Sequence, residues 1–194
     1  MTNPEDPAEK PLLRATARKA VEKMTPEARR RESEALCRTI ATWLASHPAP
    51  IRAATFAALP DEPDLGGLHA LCPDIEWSYP RIDDRGQLVF HAVPDPASLR
   101  PGAMGIREPD PQRHPATPVS RLAVVLCPGL AFSPDGTRLG RGKGHYDRAL
   151  AGAAADCLRV GVSFEAARMA ALPREAHDVR MTHLAGLATV APAS

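Results

Sequence analysis

The chain has little that would let it coat a nucleic acid or a bilayer. Its 194 residues hold 24 lysines and arginines against 23 aspartates and glutamates, a formal net charge of +1. That balance offers no basic face of the kind that coats DNA or an anionic membrane. Aromatics are equally few, with 4 Phe, 2 Trp and 2 Tyr, so a stacking platform for nucleic acid is not expected. No run of about 18 apolar residues exists, and the opening stretch MTNPEDPAEK is polar. Neither a membrane span nor a secretory signal is therefore expected. The cysteines at 37, 72, 127 and 157 stand far apart with no CxxC pair. They predict a reduced cytoplasmic chain with buried thiols, not a disulfide frame or a zinc site.

Lysine is the scarcest charge, present only at Lys10, Lys19, Lys23 and Lys143. A chain that otherwise uses arginine, yet keeps Lys143 inside a glycine loop, directs attention to that loop. Proline is plentiful at 21 residues, about twice ordinary usage, with many in 90–120. The length fits a single domain over 1–194, with a disordered start over 1–9. A domain of this size buries roughly 70% of its unfolded surface without any staple.

Helical spacing of Leu13, Ala17, Val21 and Met24 predicts a helix over 11–24, with Lys10, Arg14 and Arg18 along the opposite stripe. Thr25-Pro26-Glu27 supplies an N-cap, a first-turn proline and an acid. The helix it starts runs to about Ser46 and buries Leu36, Ile40, Trp43 and Leu44. Strands are expected at 51–59, 76–82, 87–93, 122–127, 158–164 and 186–191, with a short helix capped by Asp64 and another helix over 165–172. The segment 122–127, LAVVLC, is apolar throughout, as a central parallel strand covered on both faces should be. The segments 94–120 and 128–144 read as loops, the second leading into a helix near His145. Strands alternating with helices predict an α/β fold, a single layered domain with a mainly parallel central sheet flanked by helices in Rossmann-like fashion.

The informative segment is RLGRGKGHYD at 138–147. Glycines at 140, 142 and 144 free the backbone for positive φ and close approach, while Arg138, Arg141 and Lys143 supply cations. Free N–H groups, cations and a following helix make a polyphosphate cradle. The plainer alternative is a flexible surface loop with solvated arginines. Two better-known phosphate motifs do not fit. A P-loop needs GxxxxGK[ST], but Thr137 stands five before Gly142 and Gly144 follows Lys143. A dinucleotide fingerprint needs its glycines directly after a strand, and here a long loop intervenes after Cys127.

The run CPGLAFSPDGTRLGRGKGHYDRAL resembles the core motif of the 5-formyltetrahydrofolate cyclo-ligase family, and further collinear likenesses extend across the chain. Lys10 to Arg14 is similar to the family's K-x-x-x-R, Asp61-Glu62 to its acidic loop, MGIREP at 104–109 to its G-I-x-E-P stretch, and LPREAHD at 172–178 to its L-P-x-x-x-H-D. The resemblance implies an enzyme that uses ATP and Mg²⁺ to convert 5-formyltetrahydrofolate to 5,10-methenyltetrahydrofolate through a phosphorylated formyl group, releasing ADP and phosphate. It implies nucleotide contacts at Lys10, Arg14, Arg138, Leu139, Gly140, Arg141, Gly142, Lys143, Gly144, His145 and Tyr146, with Lys143 and Arg141 acting in catalysis. Asp147 and Asp178 resemble the carboxylates that hold Mg²⁺. Ala57, Glu62 and His145 resemble substrate contacts, Glu62 meeting the pterin's amino-pyrimidine edge. The expected partners are the small molecules folate and ATP, with no nucleic acid and no membrane, and the chain is expected to be a monomer.

Three departures bear on the substrate pocket more than on the nucleotide site. His145 stands where the family has Tyr or Phe, DEPDL at 61–65 lacks the family's threonine, and the C-terminal segment lacks the usual T-E ending. The competing reading is a divergent, non-catalytic nucleotide-binding paralogue of the same fold. Solvated or structural roles for Lys10, Arg14, Glu62, Asp147 and His145 remain the plain alternative for each.

Overall fold

The computed structural model describes residues 9–48, 51–102 and 105–194. In chain order the elements begin with α1 (Lys10–Glu22), α2 (Pro26–Ala45), β1 (Arg52–Ala54), α3 (Leu68–Leu71), β2 (Glu76–Ile82) and β3 (Leu88–Ala92). Short strands follow at β4 (Arg100–Pro101), β5 (Arg107–Glu108) and β6 (Ala116–Thr117). Then come β7 (Val124–Pro128), β8 (Ala131–Phe132), β9 (Arg138–Leu139), α4 (His145–Leu150), β10 (Leu158–Val162), β11 (His183–Ala185) and β12 (Val190–Pro192). Eight strands form one sheet in the order β12-β11-β10-β7-β1-β2-β3-β6. The inner five, β11 to β2, are parallel, and both edges are completed by antiparallel pairs. The expected α/β layering with a mainly parallel sheet is thus present.

The central strand shows why. Val124 and Leu126 face one side of β7 and pack with Leu36, Ile40 and Leu44, which recur every four residues along α2. Val125 and Cys127 face the other side and pack with Phe90, Phe132, Leu150 and Cys157. Both faces are covered, so the strand has no polar alternation. Burial pushes the Cys127 thiol up to about 12. The N-cap of α2 forms as its sequence demands, with Thr25 Oγ1 accepting from the Ala28 N–H at 3.1 Å. Trp43 is not buried as expected; it lies half-buried at the sheet edge, its ring 4.4 Å from His47 and 5.4 Å from His183.

Several expected elements differ. The strand expected over 51–59 stops at Ala54, because the chain then leaves the sheet to form a cavity wall. The helix expected over 165–172 is a single 3-10 turn, Glu165–Ala167. There Arg168 turns extended and bridges Phe132, and Arg168 Nη2 donates to the Ala185 carbonyl. The final strand expected over 186–191 is instead a hairpin, β11 and β12, whose turn is closed by the Gly186 N–H on the Thr189 carbonyl. Asp64 does not cap α3, which starts behind Gly67; its Oδ1 accepts from the Gly66 N–H at 2.9 Å. The loop expected over 128–144 carries the β8–β9 hairpin. Of the disordered start expected over 1–9, residues 1–8 lie outside the described residues, and Glu9 already joins the turn before α1. Met104 of the MGIREP stretch lies outside them too.

Phe132 ties this hairpin to the sheet. It is fully buried against β10, where a Cβ added at Gly161 would lie 2.5 Å from its Cε1 and 2.9 Å from Leu184 Cδ2. Gly161→Ala overpacks that contact and is expected to cost about 1–3 kcal/mol, at roughly 2–4 °C of melting temperature per kcal/mol. Thermal unfolding measures it, and an unchanged midpoint would mean that Phe132 yields freely.

Candidate functional site

Two segments leave the C-terminal ends of adjacent parallel strands and part company. One runs from β1 through 55–62 towards β2, the other from β7 through 128–147 towards β10. Such a reversal in strand order opens a crevice beyond the strand ends. The result here is a cavity of about 580 Å³. Every site residue expected from the sequence borders it: Lys10 and Arg14 from α1, Ala57 and Glu62 after β1, all of Arg138 to Asp147, and Asp178.

The glycine loop is held open by its own backbone. Gly142 and Gly144 have φ of +94° and +63°, a region where a side chain is strained. Arg14 Nε donates to the Gly140 carbonyl at 2.9 Å, fixing α1 to the loop. Beneath it, Arg138 Nη2 meets Asp147 Oδ2 at 2.8 Å, with side chains only 7% and 12% exposed. Removing one member of so buried a pair strands the other charge. Asp147 Oδ1 accepts from the Val179 N–H at 3.3 Å, which brings it beside Asp178 in the chain. The Arg138 guanidinium also lies 5.4 Å from the Tyr146 ring centroid. Two atoms in this corner, the Tyr146 hydroxyl and Arg138 Nε, are buried and have no hydrogen-bond partner among the described residues. A buried polar group left unpaired costs about 1–3 kcal/mol. Burial raises the Tyr146 phenol well above its usual range and keeps it a donor.

Opposite, the Lys10 ammonium sits 2.8 Å from both Asp178 Oδ2 and Glu175 Oε2. Burial opposes its charge most, yet the bonds to Asp178 and Glu175 prevail and raise it above the ordinary lysine value. Asp178 is likewise burdened by burial but held low, by the Glu175 N–H and by Lys10. Glu175, His177 and Asp178 offer ligand atoms within 4.8 Å of one another. At the third wall, Arg141 bonds Asp61 and Glu62 together. Lys143 is exposed and makes no ion pair among the described residues.

The cations expected at phosphates and the carboxylates expected at Mg²⁺ are therefore paired with one another. Asp147 and Asp178 supply hard carboxylate oxygens on one cavity, which suits Mg²⁺. Sequence reasoning did not select Asp61, Glu175 or His177 as site members, although Asp61 and His177 adjoin selected residues and Glu175 stands three before Asp178. Their signal is a doubled or spaced acid, DE and E-x-H-D, in segments otherwise short of acids.

His145 starts α4, and its Nδ1 lies 3.0 Å from Arg148 Nη2. Burial, then the charges of Arg148 and Lys143, lower it from 6.5, against a backbone contact with Gly86 that raises it. The folded state thus favours neutral imidazole: its contribution to stability is complete above the unfolded value and is lost as pH falls through the lower folded one. An imidazole NMR titration is expected to give a midpoint below 6.5, and Arg148→Ala is expected to raise it. A midpoint at or above 6.5 would contradict this account.

Comparison with known proteins gives a consistent result. A 5-formyltetrahydrofolate cyclo-ligase of Mycolicibacterium smegmatis is 42% identical over 89 residues, 46% of this chain and 46% of that protein. The Haemophilus influenzae protein of the same description is 31% identical over 93 residues, 47% of this chain and 49% of that protein. The matched stretches thus span about half the length of these curated relatives. The structure of the 5,10-methenyltetrahydrofolate synthetase from Aquifex aeolicus superimposes with a TM-score of 0.77 at 28% identity, over 95% of this chain and 92% of that one. The Mycoplasma pneumoniae synthetase, at 16% identity and a TM-score of 0.76 over 91% and 98% of the two chains, shares the fold. The sequence profile that matches residues 6–185 places the chain in the 5-formyltetrahydrofolate cyclo-ligase family.

Proposed function

We propose that the chain is an ATP- and Mg²⁺-dependent 5-formyltetrahydrofolate cyclo-ligase. In this reaction the γ-phosphoryl group of ATP passes to the formyl oxygen, a poor leaving group made into a good one. The neighbouring N10 amine then attacks the formyl carbon, and the oxygen departs as phosphate. The products are 5,10-methenyltetrahydrofolate, ADP and phosphate. The observation that carries this reading is the convergence on one cavity of residues as far apart as Lys10, Glu62, Lys143 and Asp178.

On this reading the loop N–H groups and Arg14 orient the triphosphate, and Lys143 meets the charge that develops on the transferring group. Lys10 and Arg138 exchange their carboxylates for phosphate oxygens. That exchange frees Asp178 and Asp147 to hold Mg²⁺, which when bound neutralises phosphate charge. Glu62 and Ala57 face the pterin, and His145 offers a flat neutral ring to stack on it. Burial of Glu62 strengthens any hydrogen bond it accepts.

The test is the near-ultraviolet absorbance of the methenyl product with ATP, Mg²⁺ and 5-formyltetrahydrofolate. Product formation is expected; nucleotide binding without product would return the non-catalytic alternative. Lys143→Ala is expected to lose about 10²- to 10³-fold in turnover, as when a preorganised transition-state contact is removed. Near-normal turnover of that folded variant would return the loop to a flexible surface. Asp147→Asn and Asp178→Asn are each expected to raise the Mg²⁺ concentration needed for half-maximal activity. Magnesium titrations that overlay the parent's would remove the two-carboxylate site.

A further inference from the structure

Arg141 divides its hydrogen bonds between two acids about eighty residues earlier in the chain. Its Nη1 and Nη2 grip both oxygens of Asp61, the first at 3.1 Å. Its Nη2 and Nε donate to Glu62 Oε1 at 2.9 and 3.3 Å. The other oxygen of Glu62 accepts from the Leu59 N–H at 3.1 Å. Burial works against the Arg141 charge, but the bonds to the two carboxylates outweigh it.

The two acids occupy different places. Glu62 borders the main cavity, whereas Asp61 does not; Asp61 faces a neighbouring cleft of about 380 Å³ together with Arg18, Glu22 and Arg29. Arg141 borders both spaces, as Arg18 and Leu59 do, and is the one of the three that bonds both Asp61 and Glu62. A molecule in the main cavity can therefore touch Arg141 and Glu62, while Asp61 reaches it only through Arg141. With the Gly140 carbonyl held by Arg14, a turn of Arg141 between the acidic wall and the cradle is a change of side-chain rotamer.

We propose that Asp61 is a positioning residue that holds Arg141 on the acidic wall, so that nucleotide binding must compete with Asp61 for the Arg141 charge. The proposal rests on the cyclo-ligase reading of the cavity and adds the control of its nucleotide affinity. A guanidinium shared by two carboxylates, Glu62 buried and Asp61 partly so, is released only at a cost. The measured affinity of a ligand that needs it free is lowered by the fraction of molecules in which it is free. Asp61→Asn keeps the side chain's shape and removes one of the two competing charges.

Calorimetric titration with Mg-ATP, without folate, reads this directly. Asp61→Asn is expected to bind up to about five-fold tighter than the parent, the upper range of one such ion pair. Asp61→Glu, which keeps the charge, is expected to bind like the parent. In an Arg141→Gln background the gain from Asp61→Asn is expected to vanish. A merely structural role for Asp61 predicts weaker binding, so the sign decides. The parent itself supplies a second readout, since the Arg141 Nε–H resonance is expected to shift when Mg-ATP is added. A parent that binds Mg-ATP, with equal or weaker affinity in folded Asp61→Asn or with an unmoved Arg141 resonance, overturns this inference alone. A parent that binds no Mg-ATP overturns the cyclo-ligase reading with it.

Discussion

Charges withdrawn from water must find partners, and the cavity satisfies that demand internally. Arg138 is matched with Asp147, Lys10 with Asp178, and Arg141 with Glu62. Each pair joins segments that the sheet alone would leave independent: α1 with 175–178, the acidic loop with the glycine loop, the glycine loop with the start of α4. The desolvation cost of one unpaired ion in such a place is several kcal/mol. A site that gathers cations for a polyanion and carboxylates for a cation therefore favours setting each against the other. Lys143 stands apart, exposed at the loop's tip, where water covers its charge.

The sheet beneath makes this pairing possible by sending the segments that follow two adjacent parallel strands, β1 and β7, to opposite sides. The β8–β9 hairpin then lifts Arg138 off the sheet and over the Tyr146 ring. Phe132 plugs the hairpin into the core beside Gly161, where a Cβ would press on its ring. Packing below the loop and charge above it thus act on the same few residues.

Much of this was legible in the sequence because it is local. The Thr25 cap, the four-residue spacing along α2 and the unbroken apolar run of β7 each follow from neighbours in the chain. The glycine loop was equally plain as a motif, since three alternate glycines and three cations fall within 138–144. What was hidden depends on distant partners. Residues 165–172 have helical composition, yet Arg168 leaves the helix to bridge Phe132 and to donate to the Ala185 carbonyl. Tertiary contacts of that kind override weak propensity. The proline-rich stretch 94–120 has no periodicity, but it is pinned by buried His114, whose Nδ1 accepts from the Asp110 N–H at 3.0 Å while Nε2 pairs with Ser98 Oγ at 2.9 Å. Strands of two residues, such as β8 and β9, are too short to carry any pattern. Asp61 was hidden in plain view: beside Glu62 it read as part of a motif, and only the path of Arg141 separates their roles.

The attachment of α1 also fixes the order in which the molecule can be finished. The partners of Lys10 lie 165 and 168 residues away, and that of Arg14 lies 126 away. Closing loops of that length has an entropic cost that no single ion pair recovers. The Lys10 contacts can persist only after the segment between β10 and β11 has been delivered to the cavity. On a ribosome, Lys10 is made 165 and 168 residues before the acids it pairs with. Completion of the cavity is therefore a terminal event of folding, and a chain that can bind there has already assembled its core.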